Sequence, residues 1–217
     1  MVRGPDPIWG GDIRNFHPPR RRFDGVIGGP PCQAHSKFIH LSDGKRKKDP
    51  EDLTFEFIRT IEKTEPDWFL MENVPDAPDI NPIGYGSRSF ILNNRELGEI
   101  QNRKRKFVFG VRHAPPLDLK ICIEIKSQNS KWTRTVLASG GVRPGHESAR
   151  GRLPGRFYGY QTNEVLKRDL VAQGLPSDFL KNSPFTVKGK YLLVGNGVPM
   201  PMGRELARAI RKLIYQE

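Results

Sequence analysis

The chain has 217 residues, which is long enough to bury one sizeable hydrophobic core without the support of disulfides or metal ions. Its 36 Lys and Arg residues outnumber its 24 Asp and Glu residues and give a formal net charge of +12, which favours a polyanionic partner such as nucleic acid. The two cysteines, Cys32 and Cys122, lack the spacing of a zinc site or a disulfide framework, and no apolar run approaches the roughly 18 residues that span a bilayer. These features argue against a disulfide-stabilised secreted domain and a helical membrane protein, and we expect a cytoplasmic protein without a bound metal.

The first part of the chain alternates apolar stretches with a helical pattern. Residues 23–29 form a short apolar stretch that ends in glycines and prolines, which predicts a buried strand leading into a loop. Asp49 and Pro50 provide an N-cap and a first-turn residue for a helix whose apolar residues recur at helical spacing. Residues 67–73 predict a second buried strand, again followed by a proline-containing loop.

The next stretch, KFVFGV (106–111), predicts a third strand and follows a polar run, QNRKR (101–105). An alternation of strand, loop and helix is typical of an α/β sheet. Ligands of such sheets bind outside the carboxyl ends of the strands. We therefore expect functional side chains in the loops that follow the predicted strands.

The remainder of the chain differs in composition. Residues 113–155 are rich in Pro, Gly, Ser and basic side chains, which predicts a loop-rich excursion too short for a full domain. Beyond it we predict a helix that is capped by Asn163 and extends to about Gln173, a last strand at YLLVG (191–195) and a strongly amphipathic helix at 203–216.

Four stretches, in this order along the chain, resemble the DNA (cytosine-5)-methyltransferases. GGPPCQ (28–33) resembles the catalytic loop of that family, ENV (72–74) its second catalytic motif, QNRKR (101–105) its Gln-x-Arg-x-Arg motif, and GNGVPMPMGRELARAI (195–210) its closing motif. Weaker likenesses occur at GDI (11–13), TRTVLASGG (133–141) and QGLPSDF (173–179). The resemblance covers most of residues 12–112 and 133–214.

The resemblance implies a Rossmann-like methyltransferase fold of the α/β class, with a mixed, mostly parallel sheet and flanking helices. It divides the chain into a partial catalytic core at 1–112, a reduced target-recognition excursion at 113–155 and a segment at 156–217 that returns to the core. The predicted reaction is methyl transfer from S-adenosyl-L-methionine to C5 of cytosine in double-stranded DNA, so the protein would associate with the nucleoid when it binds DNA.

The chemistry of this reaction asks for a nucleophile and an acid. Cytosine C5 is a poor nucleophile until a thiolate adds at C6, and Cys32 follows two prolines that restrict the conformations of its loop. Glu72 would protonate or hydrogen-bond N3 as negative charge develops there. The resemblance assigns Arg103 and Arg105 to the cytosine carbonyl region, to orientation of the carboxylate and to phosphates, and their alternate spacing suggests a shared side. Their basic neighbours also fit a solvated loop.

The resemblance also implies contacts with the cofactor and with DNA. The predicted contacts with S-adenosylmethionine are made by Asp12, Ile13, Pro30, Asn196 and Val198. The predicted DNA contacts are Gln33, Ser36, Lys45, Arg46 and Gln101. The target base must leave the helical stack to reach the thiol, and the basic runs 20–22 and 45–48 are candidates to hold the flanking phosphates, although such runs are also common on solvated surfaces.

The chain departs from the family pattern in three places. The family's first motif, Asp-x-Phe-x-Gly-x-Gly, is absent, which predicts that the first strand-helix units are missing, that a strand edge is exposed and that an N-terminal portion or a companion chain supplies the rest. The region at 113–131 is shorter than the family's target-recognition domain. His35 stands where the family usually has Phe, close enough to Cys32 to alter its pKa.

Two other functions remain open at this point. The protein could be a noncatalytic, DNA-binding remnant of such an enzyme, or it could methylate cytosine C5 in tRNA. Methylation of an exocyclic amino group is disfavoured, because that reaction needs no thiolate.

Overall fold

The computed structural model describes residues 11–31, 52–123, 133, 135–138 and 162–215. The chain divides into two compact units, one formed by Met1–Leu92 with Lys104–Leu119 (unit 1) and the other by Asn93–Arg103 with Lys120–Glu217 (unit 2). In this division residues 93–103 group with the C-terminal part of the chain, and the division into three functional segments stays a prediction. Most of the predicted excursion lies outside the described residues.

Unit 1 is built on a four-stranded sheet with the order β1-β2-β4-β3. The strands are β1 (Gly25–Gly28), β2 (Trp68–Asn73), β3 (Tyr85–Asn93) and β4 (Lys104–Arg112). β1 runs parallel to β2, whereas β4 runs antiparallel to β2. The predicted α/β class with a mixed sheet is confirmed, and the parallel part is the β1–β2 pair.

Strand β3 was not predicted from the sequence. It lies at one edge of the described sheet, and most of its residues are half-buried. Polar and apolar residues are therefore mixed along YGSRSFILN, without the continuous apolar run that marks the central strand β2. At the other edge of the described sheet lies β1, where the side chain of Ile27 is 68% exposed.

Helix α1 (Thr54–Thr64) packs its apolar face on this sheet. Its residues Phe57 and Ile61 join a core cluster with Phe69 and Met71 of β2, and the rings of Phe57 and Phe69 meet edge to face. The helix ends at Thr64, and Glu65 adopts a left-handed conformation with φ of 49°. The predicted N-cap, Asp49, lies outside the described residues.

Unit 2 contains three helices, α2 (Asn163–Ala172), α3 (Val187–Asn196) and α4 (Met200–Tyr215). The N-cap of α2 is Thr162, one residue before the predicted cap, Asn163. α4 confirms the predicted amphipathic helix and begins three residues earlier than expected. None of the helices in the described part of the chain is long and apolar enough to cross a membrane.

The prediction of a strand at 191–195 is wrong, because these residues belong to α3. Tyr191 and Val194 are buried in the core of unit 2, while Leu192 and Leu193 between them are 44% and 49% exposed. This spacing of buried positions is helical. A short apolar run cannot by itself distinguish a strand from a helix, and here packing of the Tyr191 face decides.

Candidate active site

Glu72 and Arg105 form an ion pair on one face of the sheet. Glu72 lies near the carboxyl end of β2, directly opposite Phe107 of β4, and Arg105 precedes Phe107 by two residues. The two side chains are therefore diagonal neighbours on the same face. Arg105 Nε lies 2.7 Å from Glu72 Oε1, and the side chains are only 14% and 18% exposed. The guanidinium thus fixes the orientation of the carboxylate in a mostly buried setting.

The loop after β1 is tied to the end of β2. Asn73, which is 2% exposed, donates from Nδ2 to the carbonyl of Pro30 at 3.4 Å and accepts from the Val74 amide at 2.8 Å. A Cβ placed on Gly29 would lie 3.2 Å from Glu72 Oε2, so glycine lets this loop approach the carboxylate closely. Because β1 and β2 are parallel, their carboxyl ends lie at the same end of the sheet, and the GGPP and ENV stretches that follow them are adjacent.

A cavity of about 460 Å³ lies between the β1 edge and α1, within the size range of about 300–1,000 Å³ of small-molecule sites. Its lining is mostly apolar and includes Ile13, Val26, Gly28, Pro30, Leu53 and Phe57. Ile13 and Pro30 are predicted cofactor residues, whereas Leu53, the N-cap of α1, and Phe57, in its first turn, were not predicted for this role. Their spacing of four residues indicated in the sequence that the two side chains lie on the same face at the start of the helix.

Asp12 begins a short 3-10 turn at Ile13–Asn15. Its carboxylate accepts hydrogen bonds from the backbone amide of Arg14 at 3.0 Å and from Arg14 Nε at 2.9 Å, and it pairs with the same guanidinium at Nη2. These bonds to Arg14 lower the pKa of Asp12 to about 2. The carboxylate that was predicted to meet the adenine is therefore ionised and already engaged with Arg14.

Arg103 occupies an environment unlike that of Arg105. It is fully buried in unit 2, where Nη1 donates to Val136 O at 2.9 Å and Nη2 donates to Gly195 O at 2.7 Å and Gly197 O at 2.9 Å. This burial is at odds with the predicted direct contacts to cytosine and phosphate. The alternation argument that grouped the two arginines fails because β4 begins only at Lys104, so Arg103 precedes the pleated strand.

Gln101 is also fully buried, and neither polar atom of its side-chain amide has a hydrogen-bond partner among the described residues. Its burial is at odds with the predicted DNA contact. Asn196 and Val198, by contrast, are exposed at the end of α3 and in the loop that follows, so their side chains are available to a ligand.

The basic run at 20–22 lies away from the end of β2 that carries Glu72. Arg20 and Arg21 pair with Glu65 at 2.5 and 2.9 Å, next to the start of β2. The hydrogen bond from Arg20 is the largest influence that lowers the pKa of Glu65. These arginines are thus at the opposite end of β2 from Glu72, which is at odds with a role in holding phosphates beside the reacting base.

The remaining predicted site residues, Cys32, Gln33, Ser36, Lys45 and Arg46, lie outside the described residues. Within the part of the chain that the structure describes, no group of three or more His, Cys, Asp or Glu side chains is arranged to hold a metal ion.

Comparison with known proteins identifies a family. The model of the C-5 cytosine-specific DNA methylase family matches residues 8–143. The type II methyltransferase M.DdeI of Desulfomicrobium norvegicum is 34% identical over 45% of this chain and 27% of its own length, and M.MthTI of Methanothermobacter thermautotrophicus is 25% identical over 87% and 78%. The chain thus spans about a quarter of one of these relatives and most of the other.

Solved structures show the same fold at low sequence identity. The Entamoeba histolytica methyltransferase EhMeth has a TM-score of 0.56 at 15% identity and covers 88% of this chain, which covers 78% of EhMeth. The S. pombe Dnmt2 methyltransferase has a TM-score of 0.55 at 13% identity, with coverage of 88% and 79%. The Rossmann-like methyltransferase fold, the motif order and the family match lead to one conclusion: the chain belongs to the C-5 cytosine-specific DNA methylase family.

Proposed function

We propose that this protein transfers a methyl group from S-adenosylmethionine to C5 of cytosine in double-stranded DNA. One observation carries the proposal: the Glu72 carboxylate, fixed by Arg105, lies beside the loop that leads into Cys32. In the sequence, Cys32 follows Pro31 directly. A nucleophile and an acid would therefore share one edge of the sheet.

In the proposed reaction, the Cys32 thiolate forms a bond with C6, and the electron pair of the C5–C6 double bond moves toward N3 and O2. Glu72 stabilises this charge at N3 by a hydrogen bond or a proton. C5 then becomes nucleophilic enough to take the methyl group, which would break its bond to the sulfonium sulfur and leave S-adenosylhomocysteine. Transfer of the C5 proton to a solvent water and departure of the thiolate restore the aromatic ring and release the enzyme.

Arg105 prepares Glu72 for this role. Its Nε contact at 2.7 Å holds the carboxylate, and Nη1 is itself anchored to the carbonyl of Lys104 at 2.8 Å. A side chain fixed at two points loses less conformational entropy when the substrate arrives, so the acid is in place before the base enters.

The apolar cavity between β1 and α1 is proposed to hold part of the cofactor. Ile13 and Pro30 of its lining would contact S-adenosylmethionine, which supplies an electrophilic methyl group when it is bound. A Cβ on Gly28 would lie 2.3 Å from the Phe57 ring, so glycine at this position lets that ring of α1 pack directly on β1. Asn196 and Val198 of unit 2 are exposed and are proposed as further contacts.

Covalent capture tests the proposal. A DNA duplex with 5-fluorocytosine at the target should form a stable adduct with the protein in the presence of S-adenosylmethionine, because fluorine at C5 prevents the final elimination. Cys32→Ser should abolish the adduct. Cys122→Ser is the matched control and should leave the adduct intact, since Cys122 is exposed and lies in unit 2.

The absence of an adduct, together with salt-sensitive DNA binding, would instead favour a noncatalytic DNA-binding protein. Adduct formation with 5-fluorocytosine-containing tRNA in preference to duplex DNA would indicate that the substrate is RNA. Either result overturns the proposed DNA methyltransferase activity.

A further inference from the structure

Arg103 is the largest side chain in the described structure that is fully buried. Burial of a charged group costs several kcal/mol unless hydrogen bonds replace its hydration. Three carbonyl oxygens provide this replacement, and they come from two separate segments: Val136 lies in one, and Gly195 and Gly197 lie in the other. The two terminal nitrogens of the guanidinium thus join two segments that are distant in sequence.

The carbonyls of Gly195 and Gly197 lie at the carboxyl end of α3, where backbone carbonyls have no partners within the helix. A cation at this end also interacts favourably with the helix dipole. Arg103 therefore acts as a buried cap of α3. The capped segment, residues 195–198, carries Asn196 and Val198.

Gln173 holds the same segment from another side. Its side chain is buried and donates from Nε2 to Val194 O at 2.6 Å, while its own carbonyl accepts from the Met200 amide at 2.9 Å. The segment is thus bound on both flanks by buried groups. Close packing adds a further restraint, because a Cβ on Gly195 would lie 2.2 Å from the backbone nitrogen of Ala138.

We propose that Arg103 is a positioning residue that, together with Gln173, holds residues 195–198 in a preformed shape for the cofactor and does not touch the reacting base. This inference rests on the proposed function, which assigns Asn196 and Val198 to cofactor binding. The two arginines of the QNRKR stretch then have separate tasks: Arg105 orients the catalytic carboxylate, and Arg103 orients the cofactor segment.

Hydrogen exchange in the ligand-free protein tests the positioning directly. The amides of Gly197 and Met200 are bonded to Leu193 O and Gln173 O and report on the segment. We expect R103M to raise their exchange rates at least about tenfold, which corresponds to about 1.4 kcal/mol. R103K should have a smaller effect in the same direction. Lysine keeps the positive charge at the end of α3 but lacks the planar guanidinium fork that binds carbonyls of both segments. R204K on the exposed face of α4 is the control and should leave exchange unchanged.

Binding of S-adenosylmethionine, measured by calorimetry, tests the consequence. The dissociation constant should rise at least about tenfold in R103M, partly recover in R103K and stay unchanged in R204K. In methyl transfer, the Arg103 variants should raise KM for the cofactor more than they lower kcat.

Wild-type exchange rates in R103K and in a folded R103M would overturn the proposal. If R103M does not fold, wild-type exchange in R103K alone overturns it. Loosened exchange combined with unchanged cofactor affinity would also overturn it, because the segment would then have no part in binding. A wild-type protein that binds no cofactor refutes the proposed function instead, and the exchange experiment separates the two failures.

Discussion

The Glu72–Arg105 pair predicts a measurable coupling energy. Two unit charges about 4 Å apart attract by about 4 kcal/mol at an effective dielectric constant of about 20, and desolvation offsets part of this attraction. Since both side chains are more than four-fifths buried, we expect a coupling of about 1–3 kcal/mol in the free energy of unfolding. The perturbation is a double-mutant cycle of Glu72→Gln, Arg105→Met and the double variant.

The same strand offers a control pair. Lys106 Nζ lies 2.6 Å from Asp79 Oδ1, a separation close to the 2.7 Å of the first pair, but the Asp79 side chain is 52% exposed. Solvent screening should reduce this coupling to less than about 1 kcal/mol. Urea unfolding of both cycles, Glu72/Arg105 and Asp79/Lys106, gives the two values. A Glu72–Arg105 coupling no larger than that of the control would refute the argument that burial strengthens this ion pair.

Two further predictions concern unit 2. Burial raises the pKa of Asp169 from 3.8 to about 6. Between about pH 4 and pH 6 this carboxyl ionises in the unfolded chain but stays neutral in the folded protein. The free energy of unfolding is therefore highest below about pH 4 and falls by at most about 3 kcal/mol as the pH rises through 6. Asp169→Asn should therefore stabilise the protein near pH 7.5 but not near pH 4 in urea unfolding, and an equal effect at both pH values would contradict this. Gly195→Ala should lower the melting temperature because its Cβ would meet the Ala138 backbone, whereas Gly203→Ala, which has open space in α4, should raise stability by about 0.5–1 kcal/mol. Equal effects of the two glycine substitutions on thermal unfolding would refute the close approach at Gly195.

The local pattern of the sequence was sufficient to predict three of the four strands and the helix of the described part of unit 1. Strands β1, β2 and β4 and helix α1 have continuous apolar runs or clear helical spacing, and each lies within a few residues of its predicted position. The neighbourhood of the GGPP and ENV stretches also followed from the sequence, since parallel strands present their carboxyl ends at a common edge.

Local sequence patterns did not predict the correct secondary structure where burial depends on contacts with residues distant in the sequence. The run at 191–195 is apolar enough for either a strand or a helix, and its helical form follows from burial of Tyr191 and Val194 in the core of unit 2. Strand β3 has no continuous apolar run, because an edge strand is only half-covered. Neither outcome can be found from a window of a few residues.

The sequence alone determined the family, the order of its motifs and the residue types that the chemistry requires, because these properties reside in local composition and spacing. Only the tertiary structure decided which charged side chains lie at the candidate site. Arg103 and Arg105 are two residues apart and chemically identical, yet one binds three carbonyls at the end of a helix and the other binds the Glu72 carboxylate. Their difference arises from contacts with residues up to about ninety positions away, and a charge acquires its role from the groups that replace its hydration.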